Sequence, residues 1–235
     1  MKNVTDDRGY NQIWVESEGT RISGLRRAQM VLDRMDPIEG RSVLEIGCGT
    51  GRAANYIAEK SKMQVLGIDL CEPFIETARK TYKLPNLIFD VLDFNKPDDL
   101  KSRKFDYITG NGILHHLYYH LDETLVNIRL LLKENGKIIF MEPNVQNPLA
   151  YVIFKNAYFR KKFKLEPDEM AFSKKYITEK LHKAGYRKIT VTYKDFLLPG
   201  LPGFLIKPTI SFGNFAEKIP GLRVMSQSIF IEAEG

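Results

Sequence analysis

The feature that most narrows the possible folds is the stretch Val43-Leu44-Glu45-Ile46-Gly47-Cys48-Gly49-Thr50-Gly51, a short apolar run broken by three alternating glycines. Such a run is too short for a buried helix but long enough for a buried parallel strand. Glycine reaches positive φ cheaply and carries no Cβ, so the turn lets a small molecule lie against backbone, beside the N–H groups of a helix opening at Gly51. The arrangement predicts a nucleotide or nucleoside cradle. It departs from the dinucleotide fingerprint G-x-G-x-x-G, because the third glycine comes one residue early and an acid, Glu45, stands two before the first.

On either side of this turn, patterns of helix and strand alternate. Ile22, Leu25, Ala28, Leu32 and Met35 recur at helical spacing and stop at Pro37. Ahead of them, Tyr10, Ile13 and Trp14 either anchor the segment or form a flap over a ligand. After the glycines, 52–60 reads as a helix with Ala53, Ile57 and Ala58 inward, and 64–68 as a second strand ending at Asp69. In a doubly wound sheet that places Asp69 at a ligand-binding strand end, at nearly the spacing from Gly47 at which an acid meets ribose hydroxyls. Asp69 then holds a ribose, the preferred reading, or caps the helix over 73–81. Strands follow over 86–92 and 105–109. A helix over 119–132 buries Leu121, Leu125, Ile128 and Leu132, and a turn at 133–136 leads to a fifth strand.

The E-x-G-x-G-x-G turn, with acids at successive strand ends and Gly110-Asn111-Gly112-Ile113-Leu114-His115-His116-Leu117 after the fourth strand, resembles the class I methyltransferases that use S-adenosylmethionine. The resemblance covers 41–142. Glu134-Asn135 replaces the family's usual Pro-Gly in the turn before the fifth strand. The resemblance implies a Rossmann-like α/β fold, a doubly wound sheet of about seven strands in three layers (α/β/α), mostly parallel with one antiparallel strand, the last, at the sheet's interior. It implies a cofactor site of Glu45, Gly47, Cys48, Gly49, Asp69 and Leu70, with Asp93 and Phe94 at the adenine and Asn111 facing the methionine end. Methyl transfer is an in-line displacement that requires no metal. For a hydroxyl acceptor, His115 or His116 stands where a general base belongs, although histidines here also serve structure. Glu142-Pro143-Asn144, Asn147-Pro148 and Glu166-Pro167-Asp168-Glu169 look, more loosely, like bacterial methyltransferases found with surface-polysaccharide genes.

The remaining expectations concern the acceptor and the setting. A length of 235 residues fits one domain with an N-terminal helical flap, 1–36, and two insertions, 143–172 and 197–224, at the substrate side. Ser173 is placed to cap a helix burying Ile177, Leu181 and Ala184, closed by Gly185, and 188–198 and 225–232 read as the last two strands. The segment 196–206 is apolar but too broken by Pro and Gly for one helix. Between 155 and 188 stand eleven Lys or Arg against four Asp or Glu, an excess larger than the whole chain's +6. With Tyr151, Phe154, Tyr158 and Phe159 nearby, this suits an amphiphilic acceptor carrying phosphate or carboxylate, and peripheral membrane contact, or else a solvated Lys-rich helix beside core aromatics. Nothing resembles an RNA-binding module. Two cysteines, no signal-like segment and no long apolar run lead to an expectation of a cytoplasmic protein. The rival readings are a nicotinamide oxidoreductase, disfavoured by the early glycine, Asp93 and the lack of a Tyr-x-x-x-Lys pair where a dehydrogenase would want one, and a binder that no longer catalyses.

Overall fold

The structure, a computed structural model, describes residues 18–93, 100, 103–198 and 201–235. Seven strands form one sheet in the order β3-β2-β1-β4-β5-β7-β6: β1 Ser42–Ile46, β2 Gln64–Asp69, β3 Leu87–Val91, β4 Phe105–Asn111, β5 Leu132–Pro143, β6 Arg187–Lys194 and β7 Ser228–Glu234. Strands β1 to β5 pair in parallel, while β7 inserts antiparallel between β5 and β6. The expected topology is the observed one.

Alternation along the strands builds the three layers. Leu44, Ile46, Leu66, Ile68, Ile138 and Phe140 face one side, where Leu121, Leu125 and Ile128 of α4 (Leu121–Leu130) and Ile177 and Leu181 of α7 (Lys174–Lys183) pack. Their neighbours Val43, Val65, Tyr107, Ile139 and Met141 face the other side. There they meet Val31 of α1 (Glu18–Leu32), Ala54 and Ile57 of α2 (Arg52–Ser61) and Ile75 and Ala78 of α3 (Glu72–Thr81). Each such fully buried Leu or Ile contributes about 1.5–3 kcal/mol, so the two cores rather than helix propensity hold the central sheet. Helix α2 buries Ala54 where the periodicity had placed Ala53, and Ala53 turns instead toward the carboxyl edge of the sheet.

The two insertions carry structure of their own. The first forms α5 (Pro148–Lys155) and α6 (Ala157–Lys162), opened by Asn147 and Asn156, whose side chains accept from two helix amides each. The second forms α8 (Gly203–Ala216) and a short α9 (Pro220–Arg223). Only 203–206 of the apolar Pro-Gly stretch is helical, but the helix then runs through Pro208, which removes an interior hydrogen bond. Burial of Ile206, Gly213 and Ala216, with Gly213 packed directly against Phe196, offsets that loss. The turn before the fifth strand lies inside β5 as an irregularity, with Asn135 at φ 60. Ser173 and Gly185 bracket α7 as expected. Tyr10, Ile13, Trp14 and Phe94 lie outside the described residues. Among the described residues no helix is long and apolar enough to cross a membrane.

Candidate cofactor and acceptor site

The three glycines leave β1 at φ 67, 53 and 82, but they do different work. A Cβ on Gly47 would sit 2.8 Å from Ile113, and one on Gly51 2.4 Å from Phe89, so these two are glycine because side chains pack over the turn. A Cβ on Gly49 would meet nothing within 4 Å, so the open face of the cradle is at Gly49. Asp69 fastens this face: one carboxylate oxygen accepts from the Gly49 amide at 2.8 Å and the other from the Cys71 amide at 2.9 Å. Cys71 is the N-cap of α3, and an N-capping side chain bonds amides two or three residues further on. The Asp69 carboxylate thus ties the ends of β1 and β2 instead of capping inside the helix. Beside it Leu70 is 46% exposed, an apolar side chain left at the strand end, and Asp93 follows β3 two residues beyond its end. Cys48 is buried, and burial with the nearby charges of Glu45 and Asp69 keeps its thiol protonated well above the ordinary range.

The other end of the cradle is closed by α1. Arg27, Glu45, Ala53, Thr109 and Asn111 surround a void of about 10 Å³, the room of one water. One Glu45 carboxylate oxygen is buried there with no hydrogen-bond partner. Burial pushes the Glu45 carboxyl up to about 8, against a hydrogen bond from the Ala54 amide and with help from the Asp69 charge. An orphaned acid, a glycine with open space above it and an arginine together fit an amino-acid moiety joined to a nucleoside.

The raised Glu45 carboxyl links folding to protonation. The unfolded chain releases this proton near 4.5 and the folded chain near 8, so between those values the folded state holds more protons and stability falls as pH rises. Glu45→Gln is expected to remove that decline. Melting temperatures of both proteins from pH 5 to 9 check it, the variant gaining on the wild type up to about pH 8; parallel curves would contradict it.

Asn111 accepts from Arg27 at 3.2 Å, and Arg27 in turn pairs with Asp195 at 2.9 Å. Asp195 sits just past β6, buried at φ 69, and also takes Arg26 at 3.1 Å and the Leu197 amide. It latches α1 over the strand ends. The sequence reading did not single it out, although an acid directly after a strand was the signal already used for Asp69 and Asp93.

His115 and His116 lie together at the end of β4, their ring centroids 4.1 Å apart. His115 is buried, with Nδ1 at 2.8 Å from Glu142 and Nε2 at 3.4 Å from Glu169. Burial alone would lower its pKa, but the hydrogen bonds and charges of Glu142 and Glu169 outweigh burial and hold it up to about 9. Burial would raise the Glu169 carboxyl, yet His115 and His116 keep it below its ordinary value. Glu142, fully buried, also accepts from the amides of Ile113, Leu114 and His115. His116 Nδ1 faces Glu166 at 3.2 Å and Glu169 at 3.8 Å. Arg160 is a clamp, its guanidinium donating to the carbonyls of Phe154, Glu166, Pro167 and Glu169. It is one cation that the local charge count could not separate from solvated lysines.

Beyond this cluster, on the side of the β5 end, lies a cavity of about 610 Å³ lined by Tyr118, Gln146, Tyr151, Val152, Lys155 and Tyr176 among others. Tyr118 and Tyr176 stack at 4.9 Å with planes 8° apart, and Phe172 continues the stack. One insertion helix, α5, forms its outer wall.

A methyltransferase domain family matches residues 44–138. An uncharacterized protein of Rickettsia prowazekii is 28% identical over 175 residues, 68% of this chain and 66% of that one. The ubiquinone biosynthesis O-methyltransferase of Neisseria meningitidis serogroup C is 28% identical over 127 residues, 52% of this chain and 51% of that one. The chain spans less than two thirds of these curated relatives' length, and 8% of a probable polyketide synthase of Dictyostelium discoideum. A SAM dependent methyltransferase from Archaeoglobus fulgidus superposes with a TM-score of 0.61 at 17% identity, covering 97% of this chain and 96% of that one.

Proposed function

We propose that this chain, a member of the class I S-adenosylmethionine-dependent methyltransferases, moves a methyl group to an oxygen of a small, partly apolar acceptor that carries an anionic group. When bound, the cofactor supplies an electrophilic methyl on a sulfonium. The chain's own work is to hold donor and acceptor in line and to exclude water. Asp69 has its oxygens turned to the cradle for the ribose hydroxyls, with Leu70 and Asp93 toward the adenine. Glu45, Arg27 and Asn111 meet the charged amino-acid end, where displacement of Arg27 from its present contacts makes the room. The proton of a hydroxyl acceptor passes to His116, whose ring faces Glu166 and Glu169, because His115 is already held protonated between Glu142 and Glu169.

The observation that carries the acceptor class is that cavity, with a stacked tyrosine wall, the aliphatic Val152 and the cation of Lys155 at its margin. An aromatic ring or quinone-like head with a carboxylate or phosphate matches it. The Neisseria relative, by its name an O-methyltransferase of ubiquinone biosynthesis, supports oxygen as the acceptor atom. Exposed Phe204, Phe212 and Phe215 on α8, with Lys207 and Lys218, give the same strand-end side a surface for an amphiphile or a lipid face.

The test is S-adenosylhomocysteine production across phenolic, quinone-type and sugar-lipid acceptors. The proposal expects turnover on an amphiphilic anion, with Lys155→Ala raising its KM about fivefold, the worth of an exposed charge pair, and Tyr151→Ala raising it further. Turnover on a fully polar, neutral acceptor, indifferent to both changes, would overturn the acceptor class.

A further inference from the structure

We propose that His115, His116 and Glu169 form a binding site for one divalent transition-metal ion of the zinc type. Among the described residues this is the group of three such side chains whose ligand atoms all lie within 4.8 Å of one another, and two of the three residues are buried.

Four observations point to an ion. First, Glu142 takes Nδ1 of His115 at 2.8 Å while three backbone amides hold that carboxylate in place. With Nδ1 committed to Glu142, the other ring nitrogen, Nε2, is aimed at Glu169, and what lies between that nitrogen and the carboxylate is either a proton or a metal ion. A carboxylate behind a ligating histidine is the usual outer partner of a metal site. Second, the Nε2 to Glu169 distance is 3.4 Å. Charge-assisted hydrogen bonds close to about 2.7–2.9 Å, whereas two ligands on a tetrahedral ion with bonds of about 2.0–2.1 Å stand about 3.3 Å apart. Third, Nδ1 of His116 is buried and makes no hydrogen bond, although carboxylate oxygens of Glu166 and Glu169 lie at 3.2 and 3.8 Å. A buried ring nitrogen in that state lacks what it is built to bind. Fourth, Arg160 fixes the backbone of the loop from Glu166 to Met170 without using the ligand atoms, and the Met170 amide ties it to the His115 carbonyl. The ligands are therefore held in advance.

Two imidazoles and a carboxylate favour zinc, cobalt or iron over magnesium or calcium, and three protein ligands leave a position open toward Glu166 or a substrate oxygen. An ion there would stabilise an acceptor oxyanion, which extends the methyl-transfer reading, but the site stands on its own geometry.

Protein stripped with chelator is dialysed against Zn²⁺ or Co²⁺ and analysed for bound metal, with the visible spectrum of the cobalt form as a second readout. One ion per chain and a tetrahedral-type cobalt spectrum are expected. His116→Ala and Glu169→Gln should weaken binding about 100-fold or more, and Glu142→Gln about 10- to 100-fold by releasing the His115 ring. Calorimetry with S-adenosylmethionine on each variant reports the fold and cofactor site separately, so a failed metal site and a failed methyltransferase reading give different results. No stoichiometric ion in the wild type, or affinity unchanged in both His116→Ala and Glu169→Gln, overturns the proposal and leaves His115 an imidazolium between two carboxylates.

Discussion

Glu142→Ala is expected to destabilise the protein by roughly 3–5 kcal/mol, the cost of removing one partner from a buried charged network. The side chain is fully buried and accepts from the amides of Ile113 at 3.1 Å, Leu114 at 2.8 Å and His115 at 3.2 Å, and from the His115 ring. Alanine leaves all of these donors facing a cavity. Glu142→Gln keeps the shape and one accepting oxygen, so it is expected to lose about half as much. Urea unfolding of the three proteins measures both; a loss below about 1 kcal/mol for the alanine variant would show that these amides find other acceptors.

Asp195→Ala is expected to cost about 3 kcal/mol, the lower end for a broken buried pair. The carboxylate is wholly buried, but its partners Arg26 and Arg27 are 21% and 22% exposed and reach water once released. Alanine also takes the φ of 69 less readily than aspartate. Asp195→Asn keeps that conformation and one acceptor and should retain much of the stability. Because the pair latches α1 onto the end of β6, hydrogen exchange over 18–32 should accelerate in the alanine variant while β1 and β4 stay protected. Uniform acceleration across the sheet would mean that Asp195 supports the core and is no latch.

The sheet was legible because its information is local. Strand alternation, the glycine spacing and the acids at 45, 69 and 93 are each read within a few residues, and in a parallel sheet successive strand ends fall on one edge. Contacts that join distant elements were not legible. Glu142 meets His115 across 27 residues and Asp195 meets Arg27 across 168, and no periodicity encodes either. The glycines show the same limit. Their pattern marked the turn, but only the neighbours Ile113 and Phe89 reveal that Gly47 and Gly51 serve packing and Gly49 the open face. Helix α8 escaped because Pro and Gly dominate its start, while the burial that sustains it comes from Phe196 and α1.

Calorimetry with S-adenosylmethionine, S-adenosylhomocysteine and NAD, on the wild type and on Asp69→Ala, tests the central claim most directly. Both sulfur ligands are expected to bind and NAD is not, and Asp69→Ala is expected to weaken the sulfur ligands by about 1–3 kcal/mol, the cost of unpairing buried hydrogen bonds. Binding of NAD without the sulfur ligands, or full affinity in a folded Asp69→Ala, would contradict it.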